Sequence, residues 1–348
     1  MPSRYRCVFA GAALLACSSP LSAQTPTLPT VGAGLQTSFV VNSPEEGDST
    51  ATFPLNSVRL YVNGTASEGI KYMFNTEYNG STNAVGILDA AAMLTFSPQV
   101  NIWAGRFLPP SDRANLYGPY YSNHWAVYTD GIQDGYPFVA TGRDNGAMYW
   151  GQFNKVKLSA GAFEASNSDS DVLGAFRAQV DFWDQEDGYY LNGTYYGGKN
   201  LLALGVAGQV DQDGTALTAD FLLEKKMDGG GVVSVEAEYA NYDELGGYDA
   251  NYLKSDGGYV LGAYLFPTEV GSGVLKGKLQ LLGKYAHAAF SEGLTGLNPD
   301  YDQNTTEFNF NYIIKEFNAR LMFFYKNTSF DDVRQDNNQF GVGLQIQM

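Results

Sequence analysis

The chain has 348 residues, with 37 acidic side chains against 21 basic ones and a net charge of −16. So acidic a chain offers no basic surface for phosphate contacts, which excludes nucleic acid as a partner. Beyond the N-terminal segment no run of 18 apolar residues occurs, so no transmembrane helix is predicted, whereas 24 Tyr and 21 Phe leave both a soluble β-protein and a membrane barrel open.

Arg4 and Arg6 precede the short apolar run Val8–Ala16, and small residues follow up to Ala23. A positive segment, an apolar core and a processing site predict a secretory signal peptide over residues 1–23. Leu21 stands where a smaller residue is preferred, and "LLAC" (Leu14–Cys17) offers the alternative of a lipoprotein cut before Cys17. Without residues 1–23, which carry two arginines and no acid, 37 acids face 19 bases and the net charge is −18. Both cysteines, Cys7 and Cys17, fall in the leader, so the remaining chain has neither disulfides nor thiol chemistry. The two histidines, His124 and His287, lack the convergent partners of a metal cluster or a Ser-His-Asp triad. No catalytic residue, metal site or cofactor is predicted.

Residues 24–34 read as a flexible lead into a first strand. From there the chain alternates. "VRLYVNG" sets Val58, Leu60 and Val62 opposite Arg59, Tyr61 and Asn63. "VVSVEAEYA" sets Val233, Val235, Ala237 and Tyr239 opposite Ser234, Glu236 and Glu238. "FNFNYII" and "FNARLMFFY" carry aromatic and aliphatic residues at every second position (Phe308, Phe310, Tyr312; Phe317, Leu321, Phe323, Tyr325). Side chains alternate across a strand, so each segment has one apolar and one polar face. The segments run about 8–12 residues, the reach needed to cross a bilayer at a tilt. Their apolar faces carry Tyr and Phe near the ends, as an interfacial girdle requires.

Candidate strands fall near 35–41, 58–65, 70–78, 87–96, 100–107, 146–153, 156–164, 173–182, 189–196, 201–211, 215–224, 232–240, 258–266, 274–286, 306–315, 317–327 and 339–348. Seventeen is odd, and single-chain barrels have an even number. Long connections counted from the front (42–57, 108–145) and from the back (328–338, 287–305, 241–257) fall on one side only if 189–196 is not a strand. The predicted fold is an all-β, 16-stranded antiparallel transmembrane barrel over 24–348, embedded in outer-membrane lipid. Its terminal strand "QFGVGLQIQM" (Gln339–Met348) pairs with the first to close the sheet. That the barrel assembly machinery reads this strand is an expectation from the outer-membrane barrel family, not from the pattern.

The segment 106–145 is too long to be idle in a compact fold. Its stretch "WAGRFLPPSDRANLYGPYYSNHW" (Trp103–Trp125), with "GIQDGYPF" and the later "DFLLEKKMDGGGVVSVEAEYANYD", resembles bacterial porins related to the phosphate-selective porin O/P family. The resemblance implies a water-filled, trimeric channel in the Gram-negative outer membrane, with the third external loop (108–145) folded inward to narrow the pore. It implies passage of small anions or other small polar solutes. The phosphate selectivity of the best-known members rests on lining arginines and lysines that do not align here residue by residue, and the expectation of a weak phosphate-like anion preference goes with the lining charges.

With polar faces toward the lumen, Arg59, Lys71, Arg177, Lys276, Lys278, Lys284, Arg320 and Lys326 are expected in the pore lining, opposed by acids such as Glu77, Asp89, Asp220 and Glu307. Arg106 and Arg113, with Tyr117, Tyr120 and Tyr121 packing the loop, are expected at the constriction. Arg106 is assigned to the lumen because Trp103 and Phe107, on the opposite face, are assigned to lipid. Two plainer readings stand beside these. The lining charges only keep the channel wet, or Arg106 and Arg113 only pair with Asp112, Asp130 or Asp134 to hold the loop. An outer-membrane barrel enzyme using His124 or His287, and a soluble secreted β-sandwich that binds sugar, are the alternatives.

Overall fold

The computed structural model describes residues 28–80, 82–125, 129–132, 142–164, 172–212, 214–295 and 298–348. The expected leader and Asp134 lie outside them. The strands are β1 (Thr30–Pro44), β2 (Thr50–Thr52), β3 (Leu55–Ser67), β4 (Ile70–Asn79), β5 (Ala84–Ser97), β6 (Val100–Phe107), β7 (Asp144–Phe153), β8 (Val156–Phe163) and β9 (Leu173–Asp181). After the 182–200 connection come β10 (Leu201–Val210), β11 (Thr215–Lys226), β12 (Val232–Asp243), β13 (Tyr252–Val270), β14 (Gly277–Gly293), β15 (Tyr301–Lys315), β16 (Ala319–Phe330) and β17 (Asn337–Gln347). One short helix, α1 (Arg113–Tyr117), stands between β6 and β7.

Each long strand pairs antiparallel with its sequence neighbour, and β1 pairs with β17 from Gly34↔Gln347 to Pro44↔Asn337. The three-residue β2 only touches the upper end of β1, opposite Val40–Asn42. Sixteen long strands therefore form a closed barrel. The segment 189–196, excluded on parity, is not a strand. At the rim holding the start of β1 and the end of β17 (the lower rim), connections such as 68–69, 98–99, 154–155 and 316–318 are tight. The exception there is 182–200; at the upper rim the longest connection is 108–143.

The faces follow the pleat. Outside stand Leu60, Phe74, Leu204, Val206, Leu217, Tyr239, Val260, Leu281, Phe308, Phe310, Phe323 and Ile346, all exposed. Inside stand Gln36, Arg59, Asn75, Glu77, Asp89, Arg177, Asp220, Glu236, Glu238, Glu307 and Arg320, all buried. Apolar out and polar in is the arrangement that a barrel in hydrocarbon requires.

Around β6 the expectation is inverted. Trp103 and Phe107 are buried on the inner face, in a cluster with Leu108, Leu116, Met148, Phe163, Leu173, Tyr189 and Leu191. Arg106 stands on the outer face beside Ala90 and Asn145, its Nε donating to Ile87 O at 3.4 Å. The assignment of Trp103 and Phe107 to lipid fails because residues 108–116 and 189–191 supply them with apolar partners inside the barrel. Arg106 lies at the upper rim, where a long cationic side chain can reach headgroups and water at little cost.

Phe310→Arg should test the faces. It places a guanidinium midway along the outer face, at a cost of about 2–4 kcal/mol. Heat-modifiable migration on a gel should show loss of folded barrel. Undiminished folded yield would contradict the assignment.

Candidate pore constriction

The segment that follows β6 is built locally to turn sharply. Pro109 and Pro110 stiffen its exit. The Asp112 carboxylate then caps α1, accepting from Asn115 N at 2.8 Å, and Gly118, at φ 61°, ends the helix. All five helix residues are buried, and so are Ser111, Asp112, Tyr120, Ser122, Asn123 and His124.

The burial is against inward-facing strand residues. Tyr117 Oη donates to Glu236 of β12 at 2.8 Å. Tyr120 Oη meets Ser57 of β3 at 3.0 Å, and the Arg59 guanidinium lies 4.6 Å above its ring. Tyr121 packs on Phe317 at 5.3 Å and remains 38% exposed. His124 Nδ1 lies 3.1 Å from Glu307 of β15, Lys284 of β14 pairs with Asp130 at 2.5 Å, and Arg320 of β16 donates to Ser122 O at 2.5 Å. Two wall glycines make room: a Cβ at Gly34 would lie 2.6 Å from the Tyr120 ring, and one at Gly343 would overlap Trp125.

Arg113 is the junction. Its guanidinium donates from both terminal nitrogens to Glu186, at 2.9 and 2.5 Å, and to Asn192 O at 3.1 Å. Its Nε lies 3.6 Å from Asp220, which Arg177 also grips at 2.5 and 2.9 Å. Glu186 and Asn192 belong to 182–200, the long connection from the lower rim. That connection also bonds to the upper one through its backbone: Gly193 N donates to Tyr121 O at 2.8 Å, and Leu191 N to Leu116 O at 3.4 Å. Tyr189 Oη donates to Leu108 O at 2.9 Å, and its ring meets Trp103 at 5.1 Å. Connections from opposite rims thus meet inside the barrel.

The Glu186 carboxyl is pushed up by burial but held down to about 2, because Arg113, then Lys157 and the Tyr195 hydroxyl, favour its charged form more strongly.

Of the residues expected in the lining, Arg59, Arg177, Lys284, Arg320 and Lys326 are buried on the inner face. Arg59 is neutralised by Glu77 at 2.8 Å. Lys71 and Lys278 lie on the same faces as Asn75 and Gln280, toward the lower rim. Lys276 is corrected: it sits in the 271–276 turn, ion-paired with Glu269. Arg106, on the outer face, is corrected as above. Arg113 is inside, but its partners are Glu186 and Asp220 rather than Asp112 or Asp130. Sequence reasoning missed Glu186, Asn192, Tyr189 and Tyr190, and also Arg143, which pairs with Asp89 at 3.2 Å. The available signal was the length of 182–200 and the density of acids and tyrosines in "DQEDGYYLNGTYY".

No family model matches the chain, and no curated protein matches it. Solved structures do. The anion-selective porin from Comamonas acidovorans is 13% identical with a TM-score of 0.59, over 92% of this chain and 99% of that one. Salmonella typhi OmpF in complex with daunomycin is 11% identical with a TM-score of 0.65, over 92% and 97%. The trimer form of OmpT, an outer membrane protein of Vibrio cholerae, is 13% identical with a TM-score of 0.55, over 92% and 100%. At these identities the likeness shows the fold, that of outer-membrane porins.

The Glu186 carboxyl generates a pH prediction. Its folded value of about 2 lies below the ordinary 4.5, so the stabilisation it supplies is complete above 4.5 and is lost as pH falls toward 2. Single-channel conductance should hold steady from pH 7 to 5 and rise in the acid limb below 4.5. Glu186→Gln should flatten that limb; an acid limb of wild-type size in the variant would rule out Glu186 as its source.

Proposed function

We propose that this chain is an exported outer-membrane porin, a passive diffusion channel for small hydrophilic solutes and ions. The observation that carries the reading is the combination of an apolar outer belt with an inner face of ion pairs, against which residues of two connections are packed. Fixed charge inside low-dielectric walls keeps a passage wet and focuses its field. In this reading the lower rim is periplasmic, residues 1–23 are removed on export, and 108–125 with 182–200 form the constriction. Lipid surrounds the belt, the barrel assembly machinery inserts the chain, and three copies associate.

A weak anion preference, phosphate-like or otherwise, has narrower support. Arg59, Arg113, Arg143, Arg177 and Lys284 each have a carboxylate partner, which cancels most of their field. Lys71 and Lys278, at the lower mouth, are the cations placed to favour anions.

Reversal potentials in a potassium chloride gradient across planar bilayers test this. Lys71→Glu with Lys278→Glu should move the preference toward potassium, and Arg106→Glu should leave it unchanged. An unchanged potential in the double variant removes the two lysines as the filter. A purified, folded wild-type protein that forms no channels removes the porin reading itself.

A further inference from the structure

Between the inserted connections and the wall of β3–β6 lies a cavity of about 370 Å³. That volume falls within the range of small-molecule pockets, about 300–1,000 Å³. Its lining divides by chemistry. Trp103, Tyr190 and Tyr121 give aromatic surface, backed by Met73 and Leu116. Arg59 and Arg143 also line it, but each is held by a carboxylate, Glu77 at 2.8 Å and Asp89 at 3.2 Å. The charged lining is therefore neutral in sum. Facing the same space are Asn75 Oδ1, which has no hydrogen-bond partner among the described residues, and the Tyr61 hydroxyl, which lies against the Arg59 guanidinium and has no acceptor for its own proton among them. The Asn75 amide nitrogen is already committed to Asp89 at 2.8 Å, which fixes the amide and aims its oxygen.

A buried amide oxygen with no donor and a buried hydroxyl proton with no acceptor each cost free energy that a ligand can recover. Together they ask for a ligand that both donates and accepts. Aromatic rings ask for an apolar face. Cancelled charges give no advantage to an ion, and an added anion would compete with Glu77 and Asp89 for cations they already hold. A ring-shaped polyhydroxylated solute meets all three demands: its C–H face stacks on aromatic rings and its hydroxyls donate and accept at the edge.

We propose that this cavity is a binding site for a neutral monosaccharide on the solute's path through the barrel, stacked against Trp103 and Tyr190 and hydrogen-bonded by Tyr61 and Asn75. The proposal rests on the channel reading for the word path, but binding itself does not. A sugar in the cavity occupies the gap between the inserted segments and the wall, so it blocks ion current while bound. An open-chain polyol, which lacks the ring's apolar face, binds less well.

The test uses the full-length protein in planar bilayers with D-glucose, sorbitol and benzoate as probes. Glucose should reduce the ion current saturably in the millimolar range, and sorbitol and benzoate should not. Tyr61→Phe and Asn75→Leu should each raise the half-blocking glucose concentration by about tenfold, the effect of one lost hydrogen bond at a buried partner. Heat-modifiable migration establishes that each variant is folded. An open channel whose current glucose leaves unchanged, or one blocked by benzoate instead, overturns the proposal. If no current is seen at all, the channel reading fails, and calorimetric titration of the detergent-solubilised protein decides the site separately. Glucose binding weakened in both variants upholds it, and no binding, or equal binding in all three proteins, overturns it.

Discussion

Backbone hydrogen bonding in hydrocarbon is the constraint from which the rest follows. An unpaired N–H or C=O facing lipid costs several kcal/mol, so a sheet in that medium has to close. Here β17 closes it, matched against β1 over eleven register pairs. Antiparallel closure, as between β1 and β17 here, forces an even number of crossing strands, fixes which connections share a rim, and gives every strand one face to the outside and one to the lumen. The terminal segment is taken up by this pairing: Gln345 accepts inward from Arg320 and Gln36 at 2.8 Å each, while Ile346 faces out.

The lumen is then a problem of charge. Arginines and carboxylates on inward faces need partners once chain fills the space between them. The two inserted connections supply many of these: Asp130 to Lys284, Tyr117 to Glu236, His124 to Glu307, and Arg113 between Glu186 and Asp220. A buried ion pair is not a large net source of stability, but breaking one is costly, so such pairs serve to fix position. The apolar cluster around Trp103 does complementary work, since the two connections share it with the wall and neither can leave without exposing it. Position is thus set twice, by charge near Arg113 and by burial near Trp103.

The barrel was legible from the sequence because a period of two is enforced wherever one face meets lipid. Phe308, Phe310 and Tyr239 declared the outside, and Glu236 and Glu238 the inside. Parity then removed 189–196 without knowledge of its conformation. The interior was less legible, for a physical reason. Aromatic residues mark lipid only when nothing apolar is available inside, and at Trp103 and Phe107 the inserted chain made the inside apolar. That single inversion carried Arg106 to the wrong face. Arg113 was found as an interior residue, but its partner Glu186 lies 73 positions away and on the opposite rim, a juxtaposition that only closure creates. Nothing local in either segment announces it.

The central claim is that connections from opposite rims meet in the lumen and restrict it. Both native cysteines precede residue 24, so paired cysteines placed elsewhere report cleanly. Leu116 and Leu191, buried in one cluster and joined by a backbone hydrogen bond of 3.4 Å, are the positions to use. Leu116→Cys with Leu191→Cys, oxidised in isolated outer membranes, should form an intrachain disulfide rapidly and in high yield. Two free thiols that both react with a membrane-impermeant maleimide, with no crosslink formed, would show that the two segments do not meet.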